Sequence, residues 1–182
     1  FELREAGFCS DVHALPAVFV LVELTHDGAG HASKNARCHL KHGCLQAHLL
    51  GDGSYVKGQP LRYTTASEAN SEAVQRAAEQ FGSTVTRQAG RGNWHQLVIA
   101  GNGNRWHAQG VGRWLKSLGI FGQRSAEKYI PSDVFKLSNQ QLALFMRHLW
   151  ATDGSITTDK NGRTRLYFAT VSRRLIDDVS AL

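Results

Sequence analysis

Apolar positions Cys44, Leu45, Ala47, Leu49 and Leu50 crowd together and stop at Gly51-Asp52-Gly53, which predicts the end of a helix. Tyr55 to Thr65 then predicts a pair of strands turning near Lys57-Gly58-Gln59-Pro60. Thr65-Ala66-Ser67-Glu68 has the spacing of a capping box and opens a helical run, with Ala69, Ala73, Ala77 and Phe81 in step, closed by Gly82. Ser83–Gln88 and Trp94–Ala100 predict two strands around the loop Ala89–Asn93, and Trp106–Leu118 a helix carrying Val111, Trp114, Leu115 and Leu118. Ser138-Asn139 opens a second strong helix, Gln140–Ala151, with Leu142, Phe145, Met146 and Leu149 on one face and a stop at Asp153-Gly154. Asn161-Gly162 between two extended runs, Ser155–Lys160 and Arg163–Thr170, predicts a hairpin. Ser172 is a good N-cap for a last helix.

These elements repeat. Helix, Asp-Gly-Ser, hairpin and helix occur at Leu45–Phe81 and again at Met146–Leu182. A duplicated unit predicts a pseudo-twofold arrangement. The expected organisation is an unassigned segment 1–40, a first unit 41–120, a connector 121–137 and a second unit 138–182 that stops before its second pair of strands. The longest apolar run, Ala14 to Leu24, is about half the length that spans a bilayer, so no membrane partner is expected.

Charge sharpens the picture. The 182-residue chain carries a net charge of +6, and the segment from Ser83 to Lys128 alone holds seven cations against the single acid Glu127. Clustered cations on a folded domain are the footprint of a polyanion partner. Three cysteines, Cys9, Cys38 and Cys44, are too few for a disulfide scaffold, which points to a reducing interior. His31, Cys38, His39, His42 and Cys44 match no standard zinc-finger spacing; a surface histidine cluster is expected, with Cys44 packed at the start of the motif helix and His48 at a helix interface. Gly101-Asn102-Gly103-Asn104 lacks the Gly-Lys-Ser/Thr of a phosphate loop.

Two apolar helices that each end in Asp-Gly and touch along their length deliver two carboxylates to one point. Such a pair repels itself unless a divalent cation sits between. The two segments, Leu45–Gly53 and Met146–Gly154, resemble the duplicated motif of the LAGLIDADG homing endonucleases. The blocks Leu49–Val56, Glu127–Pro131, Leu149–Ile156 and Leu166–Val179 follow, in order, those of the endonuclease domains found inside inteins, most nearly the inteins of mycobacterial replicative DNA helicases. The resemblance runs from about Cys44 to Leu182.

It implies an α/β (α+β) LAGLIDADG homing-endonuclease fold: two pseudo-twofold-related αββαββα units with antiparallel DNA-binding sheets, the second truncated. It implies metal-dependent cutting of both strands of duplex DNA, with Asp52 and Asp153 as catalytic acids holding Mg2+ and Lys128 assisting beside them. It also implies a monomer in the bacterial cytoplasm, flanked by a replicative helicase as host protein. Two-stranded ribbons fit the major groove, so the hairpins supply the expected DNA contacts: Lys57, Gln59, Arg62, Arg87, Arg91, Asn93, Lys160, Arg163 and Arg165. The splicing nucleophile and the terminal His-Asn of an intein are absent, so no splicing by this chain is expected, and residues 5–43 do not resemble the family. Two readings follow: an active endonuclease, or the same fold kept as a DNA-binding module or relic without cleavage.

Overall fold

The first motif helix, α1, spans Lys34–Asp52 and ends on the motif aspartate itself. A computed structural model describes residues 34–104 and 106–182, with side chains from 42 onward. Phe1-Glu2-Leu3, His31 and the side chains of Cys38 and His39 lie outside the described residues, and α1 crosses the boundary expected near Leu40.

Strand β1 (Gly53–Ser54) follows α1 with no intervening residue and pairs antiparallel with β2 (Leu61–Thr65), Gly53 opposite Tyr63. The expected hairpin is present, but its first strand lasts two residues and precedes Tyr55. Gly53 makes the abrupt junction possible: a Cβ there would sit 2.4 Å from the Leu49 carbonyl oxygen. The second motif repeats the device. Helix α4 (Asn139–Asp153) passes straight into β5 (Gly154–Thr158), and a Cβ on Gly154 would meet Trp150 Cδ1 at 2.2 Å. Each glycine folds back over the last turn of its own helix, where no side chain fits.

Helix α2 (Glu68–Glu79) is capped by Ser67, whose Oγ accepts from Asn70 N–H at 3.3 Å. The cap lies two residues beyond the expected Thr65, because Thr65 is the last residue of β2, opposite His95. Strands β3 (Thr84–Ala89) and β4 (His95–Ala100) complete an antiparallel sheet of order β1-β2-β4-β3. Helix α3 (Gly110–Ser117) starts later than expected. Asn104 Oδ1 accepts from the N–H groups of Trp106 and His107 at 2.9 and 2.8 Å, which holds that segment in a turn.

In the second unit, Ser138 and Gln141 form a capping box at the start of α4. Strand β5 pairs with β6 (Thr164–Phe168), Thr158 opposite Thr164, so the connecting loop is longer than a two-residue Asn-Gly turn. Asp159 Oδ1 organises it, accepting from the N–H groups of Asn161 and Arg163. Helix α5 (Arg173–Ala181) is capped by Ser172. The order is αββαββα followed by αββα, the duplication read from the sequence.

Two apolar clusters form the core, and α1 belongs to both. Leu45 and Leu49 pack with Tyr63, Val74, Leu97, Ile99 and Leu115; Ala47 and Leu50 pack with Phe145, Leu149, Leu175 and Val179. Among the described residues no helix is long and apolar enough to cross a membrane.

Candidate active site

Helices α1 and α4 meet at backbone distance where they end. A Cβ built on Gly51 would lie 2.0 Å from Thr152 Oγ1 and 3.0 Å from Asp153 Oδ2. Only glycine permits that approach, and it brings Asp52 and Asp153, the last residues of the two helices, to one place. Both carboxyls are partly buried. Burial and then repulsion from Asp153 push Asp52 up to about 6, against the pull of Lys128. Burial likewise raises Asp153, again opposed by Lys128. The two crowded carboxylates offer oxygen donors alone, which suits a hard divalent cation such as Mg2+.

Lys128 is 5% exposed, unlike a lysine on a surface connector. Its ammonium donates to the carbonyl oxygens of Leu49 at 3.3 Å, Gly51 at 2.7 Å and Gly53 at 2.9 Å. All three of its N–H donors are thus spent on the last turn of α1 and the junction to β1, where a helix leaves carbonyls without partners and carries partial negative charge. Ser172 Oγ donates to the Lys128 carbonyl at 2.6 Å, tying the connector to the cap of α5. Burial draws Lys128 down to about 8, resisted by Asp153 and Asp52.

The expected DNA contacts divide by strand face. The register aligns Arg62 with Val98 and Thr86, and Thr64 with Gln96 and Gln88, on the face opposite the helices. Arg62 stands in this open face, its Nε a buried donor without an acceptor. Lys57 and Gln59 are exposed in the turn at one end of the sheet, and Arg91 and Asn93 in the β3–β4 loop at the other. Arg87 stands apart from them. It aligns with Leu97 and Tyr63 on the helix side, forms a two-pronged pair with Glu68 of α2 at 2.6 Å for each bond, and reaches His95 Nδ1 at 3.2 Å. In the second hairpin Arg165 shares a face with Tyr167, and Lys160 and Arg163 lie exposed in the loop. On the opposite face of that hairpin Ile156 aligns with Leu166 yet is 49% exposed.

One cluster was not assembled from sequence. Between α1 and α4, one turn before the carboxylates, His48 Nε2 lies 3.1 Å from His148 Nδ1, and Tyr63 Oη lies 3.0 Å from His48 Nδ1. Cys44 Sγ and one ring nitrogen of each histidine all lie within 4.8 Å of one another. Burial lowers His48 to about 4, lowers His148, and raises Cys44 to about 11. Cys44 and His48, four apart on one helix face, were the available signal; His148 comes from a hundred residues away.

Comparison with known proteins supplies the context for this geometry. A family model described as the LAGLIDADG-like domain matches residues 40–129 and 140–182. The chain is similar to the replicative DNA helicase DnaB of Synechocystis sp., 34% identical over 144 residues, and of Nostoc sp., 38% identical over 144 residues. It is similar to DnaB of Rhodothermus marinus as well, 36% identical over 146 residues. Each alignment covers 76% of this chain but only 15–16% of the helicase, so the chain spans about a sixth of these relatives. A solved structure of mesophilic variants of the homing endonuclease I-DmoI superposes with a TM-score of 0.41 at 13% identity, covering 65% of this chain and 63% of that one.

Proposed function

Since the chain belongs to the LAGLIDADG-like domain family, we propose that it is a site-specific endonuclease of duplex DNA, active with Mg2+, carried as the homing-endonuclease part of an intein whose host is a replicative helicase. The observation that carries this reading is the meeting of Asp52 and Asp153 at the ends of two touching helices. Asp52 and Asp153 would hold the ion. When bound, Mg2+ neutralises phosphate oxygens and lowers the pKa of a coordinated water. Crowding of the two half-buried carboxylates favours cation capture over protonation once the ion is present.

Lys128 acts as a positioning residue in this scheme. With its N–H groups committed to Leu49, Gly51 and Gly53, it fixes the end of α1, and with it Asp52, while its charge offsets the repulsion of the acids. The open face of the first sheet would lie on DNA. Arg62 stands within it, Lys57 and Gln59 at one end, and Arg91 and Asn93 at the other. Strand β2, at five residues, spans about 17 Å, or about five base pairs of B-DNA. Arg163, Arg165 and Lys160 extend the contact from the second hairpin. Arg87, engaged by Glu68 on the helix side, is left out of this surface.

A plasmid carrying the intein-less junction of the helicase gene tests the proposal. Metal-dependent linearisation at one site, lost with EDTA and in Asp52→Asn, is the expected result. Salt-sensitive binding without cutting would favour the second reading, a DNA-binding module. Failure to bind duplex DNA at low salt would sink both.

A further inference from the structure

We propose that Cys44, His48 and His148 form a second metal site, distinct from the carboxylate pair, that takes a borderline-soft divalent ion of the zinc class and staples α1 to α4. The donors are one sulfur and two imidazole nitrogens, a set that selects Zn2+, Co2+ or Cu2+ over Mg2+. Geometry supports it first. Two imidazole nitrogens on a tetrahedral zinc at about 2.0–2.1 Å stand about 3.3 Å apart. The observed separation of His48 Nε2 and His148 Nδ1 is 3.1 Å. A thiolate sulfur at about 2.3 Å from the ion would stand about 3.6 Å from each nitrogen. The three ligand atoms already lie within 4.8 Å of one another, so Cys44 Sγ closes by about 1 Å at most, a χ1 turn of about 30°. His148 is half-buried, and the proposal assigns the fourth ligand to a solvent water.

The surrounding groups suit the site. Histidine ligands commonly hold their other ring nitrogen in a hydrogen bond that fixes the tautomer. Tyr63 Oη, 3.0 Å from His48 Nδ1, serves that role, leaving Nε2 free for an ion. Tyr63 is itself fully buried, with its ring edge-on to His48, so the second shell is rigid. Cys44 and His48 come from one turn of α1, and His148 from α4. An ion there would bridge the same seam that Gly51 closes, one helical turn away.

The binding step balances simply. In the tautomers the proposal requires, His48 Nδ1–H donates to Tyr63 Oη and His148 Nδ1–H to His48 Nε2; on binding, the His148 proton is exchanged to Nε2 and the Cys44 thiol loses its proton as the sulfur–metal bond forms, so one proton is released per ion. This inference does not depend on nuclease activity, and its test keeps the two sites apart.

The test is a titration of the metal-free 182-residue chain with Co2+, followed by absorption. The expected result is a near-ultraviolet thiolate-to-cobalt band with strong d–d bands of tetrahedral cobalt, release of one proton per ion, and displacement by Zn2+ but not by excess Mg2+. Asp52→Asn and Asp153→Asn should keep these spectra, while Cys44→Ala should abolish the thiolate band and His148→Gln, which removes a direct ligand, should weaken Co2+ affinity by more than the roughly 10- to 100-fold typical of a lost ligand-orienting partner. Circular dichroism checks that each variant is folded, and His148→Gln carries the test if Cys44→Ala is not. A wild-type chain without the thiolate band would overturn the proposal. So would a band unchanged in Cys44→Ala, which would assign the thiolate to Cys9 or Cys38, or one lost in Asp52→Asn.

Discussion

Replacing Gly51 by alanine sets two opposing effects against each other. In an exposed helix the change is favourable by up to about 1 kcal/mol, because alanine loses less backbone freedom on folding. Here the new Cβ would stand 2.0 Å from Thr152 Oγ1 and 2.4 Å from Thr152 Cβ, where ordinary contact begins at 3.4 Å. Turning χ1 of Thr152 moves Oγ1 away but forfeits its 2.6 Å hydrogen bond to the Leu149 carbonyl, and it leaves Cβ where it is. The helices must therefore part by about 1 Å at this end. Overpacking of this kind costs about 1–3 kcal/mol. Loosening of Ala47 and Leu50 against Phe145 and Leu149 adds to it. The net expectation is a loss of about 2 kcal/mol, or about 4–8 °C in Tm for a chain of this size. Urea unfolding followed by far-ultraviolet circular dichroism measures it. Thr152→Gly in the same chain should restore about 1–2 kcal/mol beyond additivity. A Gly51→Ala variant with a higher urea midpoint than wild type would refute the contact geometry, since propensity alone predicts that sign.

Lys128→Ala strips three carbonyls of their donor and should destabilise by about 2–4 kcal/mol, with Lys128→Arg failing to rescue because a planar fork cannot point three ways; chemical denaturation distinguishes them. Asp52 is raised from 3.8 to about 6 in the fold. Its contribution to stability is therefore fully present below about pH 4 and lost as pH rises through about 6, a change on the order of 2–3 kcal/mol. Metal-free Tm should fall across that window, Asp52→Asn should flatten the fall, and Mg2+ should raise Tm more at pH 7 than at pH 5. Arg165→Ala should lower the salt slope of DNA binding by about one, whereas Arg87→Ala should leave it unchanged; fluorescence anisotropy at several salt concentrations separates them.

Much of the fold was legible because its punctuation is local. Asp52-Gly53 and Asp153-Gly154 marked both helix ends, since the glycines there are sterically compelled. Gly82, with φ of +75°, and the caps Ser138 and Ser172 did the same for their helices. The misreadings arose where two local signals competed. Thr65 could cap α2 or end β2, and cross-strand pairing with His95 decided it. Trp106 looked helical by spacing, but Asn104 captured its N–H. At the site, sequence supplied the residues without their surroundings. Lys128 was expected beside the two acids, but its three carbonyl partners lie more than seventy residues earlier and could not be read from the chain. His148 gains meaning only opposite His48. Arg87 shares a face with Val85, and its acidic partner Glu68 comes from α2, nineteen residues earlier.

Helix α1 belongs to both apolar clusters, and this governs the order in which the molecule can be made. Its Leu45 and Leu49 find partners as soon as α2, β4 and α3 have been synthesised, but Ala47 and Leu50 wait for Phe145 and Leu149. At about 5–20 residues per second, the hundred residues separating His48 from His148 take about 5–20 s to emerge from a ribosome. Once α3 has been made, the growing chain carries a helix with one apolar side covered and the other bare until α4 follows. The nascent N-terminal unit is thus a sticky intermediate in translation, and the arrival of α4 is the event that ends its exposure.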